Sequence, residues 1–381
     1  MLLKHFLKTR AWTEVLVKSL ETEDFVVQPA SEGMTPKWHL AHTTWFFENY
    51  VLKPYVPEYR DYNTLYSFLF EHFEAHSGLY SRPTVKDIFQ YRQHVSEAVA
   101  LFWKQLNEHK SLPEIMKRVE LGVHLEEQHQ ELMLADIKYI LGKQFLKPRY
   151  VEKDAPDTGW LAEKALGWNE IPEGLYTIGH EASGFAYDNE KDAHKIFLGA
   201  FEIADRATTN EEYLEFIDAG GYEKADLWLA EGWEWVKRNE TKAPLYWEMP
   251  DRTWQYFTLS GMMEVEPDGP LMHVNYFEAD AFARWKGARL PTEEEWEVAF
   301  QVKPDFMYSP VWEWTNSAYL RYPGYHNQEG PLGAYTGKLK SGRMVLRGGS
   351  LATPEGHWRP SYRNYLTPVS QAQFSGIRLV R

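Results

Sequence analysis

The stretch Leu121 to Leu141, LGVHLEEQHQELMLADIKYIL, crowds His124, Glu126, Glu127, His129 and Glu131 onto an otherwise apolar helix. A neutral imidazole nitrogen binds divalent transition metals, and residues three or four apart on a helix share a face. Glu126 is therefore well placed to share an ion with His129. Position 125, four before His129, is Leu125, and His124 is five residues away and well round the helix. A second source of imidazole is HLAH, where His39 and His42 are three apart beside Trp38 and Trp45. Two helices that each turn histidines into one bundle interior suit a metal site, so His42 and His129 are the expected ligands. The competing expectation is plainer: these are core polar groups satisfied by hydrogen bonds.

A different set lies towards the carboxy terminus. Tyr319 and Tyr322 are three apart in VWEWTNSAYLRYPGY, and a phenol can give a proton or hydrogen bond to a developing oxyanion. Their structural alternative is an aromatic plug in a loop-rich core. Asn364, within RPSYRNYLTP, offers both an acceptor and donors to a small polar substrate. Gly348 and Gly349 suit a backbone turn, since no helix with a Lys-Ser/Thr signature follows them.

The elements that must carry these residues divide the chain in two. Residues 1–145 read as four or five helices of an antiparallel bundle. An amphipathic segment opens it, and TPKWHLAHTTWFFENYVL follows, with Thr35 as cap and an unbroken run to Leu52. An aromatic segment spans Asn63 to His76, another helix has Pro83 at or just before its start, and Leu121 to Leu141 closes the bundle. Residues 146–167 read as a linker. Beyond it, the β-like runs GLYTIG, HKIFLGAFEIA, MVLRGGS and SGIRLVR alternate with helical NEEYLEFIDAG and YFEADAFARWKGA, which makes 168–381 an α+β domain. In GARLPTEEEWEVAF, Pro291 and Thr292 start a helix whose acids favour its first turn.

Composition narrows the function. The 381 residues carry a net charge of −14, which argues against a nucleic-acid surface. Aromatic residues make up 15% of the chain and favour pockets and aromatic-lined loops. With 0 cysteines, disulfides, thiolate metal sites and cysteine nucleophiles are excluded. No signal-peptide pattern and no membrane-spanning run is present, so a cytoplasmic location is expected, with no membrane partner and no obligate protein partner.

Taken together, LAHTTWFFE and QHQELMLADIKYIL resemble a DinB-like helical bundle, while GARLPTEEEWE, LRGGS and FSGIRL resemble the formylglycine-generating-enzyme type of domain, related to C-type-lectin-like folds. In this order they resemble the ergothioneine-type sulfoxide synthases, non-haem iron enzymes that use O2 to join a thiol sulfur to the imidazole C2 of hercynine. The resemblance implies Fe(II) as cofactor, O2 as co-substrate, and hercynine with cysteine or γ-glutamylcysteine as small-molecule substrates. It places the family's first iron histidine on His42 and its last on His129. The family's remaining histidine falls on Leu125, which leaves His124, from a locally rotated or bulged helix, or Glu126 to complete the site. It further implies that Gln128 and Asn364 contact hercynine, that Tyr319 is the catalytic tyrosine, and that Tyr322 lines the cation site, where an aromatic face attracts a trimethylammonium group. Arg82 and Arg363 are candidates for the thiol substrate's carboxylate. The segment from His72 to Tyr80 is short against the family pattern. Two other outcomes stay open: a metal-deficient hercynine- or betaine-binding paralogue, and a related synthase acting on histidine or a selenium nucleophile.

Overall fold

A computed structural model describes residues 1–29, 32–70, 81–106, 109–152, 157, 162, 165–181, 183–304, 309–325 and 340–381. The segment from His72 to Tyr80 lies outside them. The chain forms two compact units: Met1–Glu152 together with Ala352–His357, and Lys153–Leu351 together with Trp358–Arg381. The first is helical and the second mixed, which is the α+β arrangement expected from the sequence.

In the helical unit, α1 (Leu2–Leu16), α2 (Pro36–Phe47), α5 (Val85–Trp103) and α6 (Leu112–Gly142) pack together, with the short α3 (Lys53–Tyr55) and α4 (Thr64–Phe70) between α2 and α5. Helix α2 starts where Thr35 accepts the Trp38 N–H and Pro36 fills the first turn, and all of its residues are buried. It does not run on as an α-helix to Leu52. Residues Glu48–Leu52 form a π-helical turn in which the Lys53 N–H bonds the Glu48 carbonyl. Pro54 has no N–H for the Tyr50 carbonyl, and Arg118 donates to that carbonyl instead, at 3.2 Å.

Helix α6 starts nine residues before Leu121, at Leu112, and is continuous through the stretch that carries His124 and His129. Its crossing with α2 is close at Gly122, where a Cβ would come within 2.6 Å of Phe47 and 2.7 Å of Phe46. Only glycine leaves room there.

In the second unit the sheets are small. β1 (Trp168–Ile171) pairs with β4 (Phe201–Ala204), and β2 (Gly174–Ile178) with β3 (His194–Leu198). Gly199 and Ala200 therefore split HKIFLGAFEIA into strands of two different sheets. β5 (Trp247–Glu248), β6 (Gln255–Thr258) and β7 (Gly261–Glu264) form a third sheet. The fourth has the order β10 (Asn364–Leu366), β9 (Met344–Arg347), β8 (Trp312–Ala318), β11 (Ser375–Gly376). Of SGIRLVR only Ser375 and Gly376 are strand, with Val380 bridging Ile203 and Arg289.

Among the described residues its α-helices are α7 (Asn210–Asp218), α8 (Ala230–Asn239), α9 (Tyr276–Trp285) and α10 (Glu293–Val302). Capping boxes start α7, α9 and α10 at Thr209, Asn275 and Thr292. Besides favouring the first turn, two acids of α10 act as counter-charges in the core. Glu293 pairs with Arg363, and Glu297 with Arg347 of LRGGS, while Arg378 of FSGIRL meets Glu313 at 2.8 Å. These arginines are buried, and burial without such partners would be prohibitive. Gly348 has φ +91°, the backbone freedom its turn requires.

Candidate functional site

His39 and His42 project from α2, and His129 from α6. The Nδ1 atoms of His39 and His129 lie 2.8 Å apart, and the His42 and His129 ring centres 5.1 Å apart. Each α2 histidine is oriented by a fixed partner. His39 Nε2 bonds Asp136 at 3.0 Å, and His42 Nδ1 bonds the Phe70 carbonyl at 2.5 Å while its ring stacks on Trp38. A carbonyl only accepts, so His42 donates to it from a protonated Nδ1. Burial first, then the neighbouring His39 and His42, push the His129 imidazole well below its ordinary pKa. His129 thus presents a neutral imidazole, the form that binds a metal.

Leu125 is buried on the same helix and contributes no donor. The two groups expected to replace it are directed elsewhere. Helix α6 has no bulge, and His124 Nδ1 lies 3.1 Å from Glu127 Oε2 and 3.1 Å from His357 Nδ1. Glu126 is the counter-charge of Arg10, at 3.0 Å, and of Arg92, with Thr13 donating to it at 2.6 Å. Burial would raise its pKa, but Arg10 and Arg92 outweigh that and hold it down to about 2. Glu127 is likewise buried, and hydrogen bonds from His124 and His357 hold it well below the usual carboxylate range against that burial.

Sequence reasoning noted His39 without choosing it and missed Asp136 and His357. The spacing of HLAH carried the signal for the first. His357 lies in the loop TPEGHWRP, where no periodicity points to it.

In the second unit Tyr319 is buried, stacked on Tyr365 with ring centres 3.9 Å apart, and its hydroxyl oxygen accepts the Asn189 amide N–H at 3.0 Å. Burial above all, and then Tyr365, raise its pKa beyond the ordinary phenol value, so the hydroxyl stays protonated. Tyr322 belongs to the hydrophobic core. Its ring lies 3.9 Å from the Arg363 guanidinium and meets His194 edge-on, so the cation this face holds is the protein's own arginine.

Arg363 differs from expectation in the same way. It binds both oxygens of Glu293, at 2.7 and 2.8 Å, and donates to the carbonyls of Asn189 and Leu320. Its fork is filled by the fold, which removes it as a ready clamp for a substrate carboxylate. Arg82 is exposed, donating to the Ser81 carbonyl at 3.2 Å. Asn364 starts β10 with its side-chain oxygen on the Tyr365 N–H, and Gln128 is half-buried on α6.

The chain matches the family model of the sulfatase-modifying factor enzyme 1-like domain over residues 166–303 and 306–381, more than half its length. Residues 5–118 match the DinB superfamily. It is 31% identical over 313 residues to the hercynine oxygenase of Mycolicibacterium smegmatis, a match covering 69% of this chain and 71% of that protein. The chain belongs to the ergothioneine-type sulfoxide synthases. Against the hercynine oxygenase of Mycobacterium tuberculosis it is 33% identical, and the match spans half of this chain and 55% of that relative. Ergothioneine biosynthesis protein 1 of Schizosaccharomyces pombe is 26% identical over 52% of this chain and 28% of that protein.

The position where the resemblance implies a further metal ligand holds Leu125. The imidazoles at hand are His129, held neutral, His42, which donates from Nδ1 to the Phe70 carbonyl, and His39, oriented by Asp136 and set against His129. A carboxylate behind a ligating histidine is the usual way of orienting such a ring. Among the described residues no helix is long and apolar enough to cross a membrane.

Proposed function

We propose that this synthase couples the imidazole C2 of hercynine to the sulfur of a small thiol, cysteine or γ-glutamylcysteine, in an Fe(II)- and O2-dependent reaction. The observation that carries this reading is the α2–α6 histidine cluster in a chain whose relatives are hercynine oxygenases. His42 and His129 would hold iron, with His39 as the third nitrogen in place of Leu125. An iron ion there supplies the redox chemistry by which O2 oxidises the thiol sulfur.

In the overall balance the thiol S–H and the imidazole C2–H bonds break. A C–S and an S–O bond form, and the second oxygen atom leaves as water. The chain's own residues hold the reactants and move protons. Gln128 and Asn364 are proposed to hydrogen-bond hercynine, and Arg82 to meet the thiol's carboxylate. Tyr319 acts as proton donor: burial keeps the phenol protonated, and because its oxygen accepts from Asn189, its own O–H is the proton left to give. The partners are small molecules.

Anaerobic Fe(II) titration followed by O2 uptake with hercynine and each thiol tests the reading, and the product mass separates hercynine from histidine and sulfur from selenium. Leu125 favours one second reading, a protein that binds hercynine without iron. It predicts hercynine affinity unchanged by metal, and no O2 uptake.

A further inference from the structure

His124, Glu127 and His357 form a group apart from the His39–His42–His129 cluster. His124 and Glu127 are three apart on α6 and share a face, and His357 arrives from a segment 230 positions further along that belongs to the helical unit. All three are buried. His124 Nδ1, His357 Nδ1 and Glu127 Oε2 make a triangle with edges of 3.1, 3.1 and 3.2 Å. A tetrahedral ion with bonds of ~2.0 Å has ligand atoms ~3.3 Å apart, and an octahedral one ~2.8 Å. The triangle falls between these values, so one ion can touch all three atoms.

With Glu127 ionised, protons alone leave one contact of this triangle unsatisfied. Each Nδ1 has a single proton or a single lone pair in the ring plane. If both rings donate to Glu127, two N–H groups face each other at 3.1 Å. If one does not, its lone pair faces the carboxylate oxygen. A cation at the centre of the triangle turns every one of these contacts into an attraction.

The other carboxylate oxygen is already held. Glu127 Oε1 meets His5 Nε2 at 2.5 Å and accepts from Thr9 at 3.3 Å. That leaves Oε2 as a single-oxygen ligand with its orientation fixed from behind, as second partners do in metal sites.

The geometry points to a second metal site in which His124, His357 and Glu127 bind a divalent first-row transition-metal ion and tie the segment Ala352–His357 to α6. Two histidines and one carboxylate suit zinc or ferrous iron, and the absence of soft sulfur ligands disfavours Cu(I). His5 is a positioning residue that acts through Glu127. This assignment stands apart from the functional reading above.

Cobalt(II) is the probe, counted by elemental analysis and read by its visible ligand-field bands, with circular dichroism checking each variant's fold. In a His42→Ala/His129→Ala background, which removes the proposed iron ligands, the chain still binds about one molar equivalent. Adding His357→Ala, or separately His124→Gln, abolishes that equivalent and its bands, and His5→Ala weakens binding ~10- to 100-fold. Loss of all cobalt from the His42→Ala/His129→Ala protein, or an equivalent that survives both His357→Ala and His124→Gln, overturns the assignment. Either result leaves the hercynine reading to be judged on its own assay.

Discussion

At the residue scale, position decides whether a polar side chain works for the fold or for chemistry. Arg363 and Tyr319 come from neighbouring stretches and are both buried, yet they differ in what remains unspent. Arg363 gives its fork to Glu293 and two carbonyls, so Arg363→Ala takes the bidentate partner from a buried carboxylate, at a cost of ~3–5 kcal/mol. The expected result is a large fall in melting temperature rather than a selective rise in KM for the thiol. Tyr319→Phe removes one hydrogen bond from Asn189, about 1 kcal/mol, so the variant folds. Its turnover should drop, and its products shift from sulfoxide towards simple thiol oxidation. An unchanged rate and product ratio would exclude the proton-donor role. The sequence made both residues visible as candidates. It did not show which was already committed, because a buried ion pair such as Arg363–Glu293 joins positions 70 apart with no local pattern.

At the element scale, most of the helix starts were legible because capping chemistry is local. Thr35 with Pro36, and Thr292 with Glu295, follow rules that need only a few consecutive residues. The end of α2 was not, because it turns on which group satisfies the Tyr50 carbonyl once Pro54 cannot, and Arg118 is distant in sequence. The polar residues of α6 combine both expectations raised for them. Glu126 is a structural counter-charge, whereas His129 faces other imidazoles. The close approach of α6 to α2 gives a direct test. Gly122→Ala should gain helix propensity of up to ~1 kcal/mol but lose more by forcing a Cβ against Phe46 and Phe47. A net lowering of the melting temperature is expected, and a rise would show that the two helices can move apart without cost.

For the whole molecule, two units and the order helical then α+β followed from periodicity and turn chemistry. The grouping of Ala352–His357 with the helical unit did not, since it depends on contacts of a loop more than two hundred residues from α6. Stability against pH also belongs to this scale. Glu126 has a folded pKa depressed to about 2 from an ordinary 4.5, so its contribution is complete above pH 4.5 and is lost as pH falls towards 2. Glu278 runs the other way. Burial raises its pKa from 4.5 to about 7, so the folded state holds a proton that the unfolded state has released. Stability should therefore fall as pH rises between 4.5 and 7, and level off above. Melting curves from pH 3 to 8 should show both limbs, and Glu278→Gln should flatten the one between 4.5 and 7. A slope that persists in that variant would assign it to another group.

His42, His129 and His39 are proposed to assemble a working iron site although position 125 is Leu125. Anaerobic Fe(II) titration of the purified protein, followed by O2 consumption with hercynine plus cysteine or γ-glutamylcysteine, tests it most directly. Expected are iron binding that His42→Ala and His129→Ala weaken, O2 uptake that requires both organic substrates, and a sulfoxide product. Hercynine binding that ignores iron, with no O2 uptake for either thiol, would contradict it.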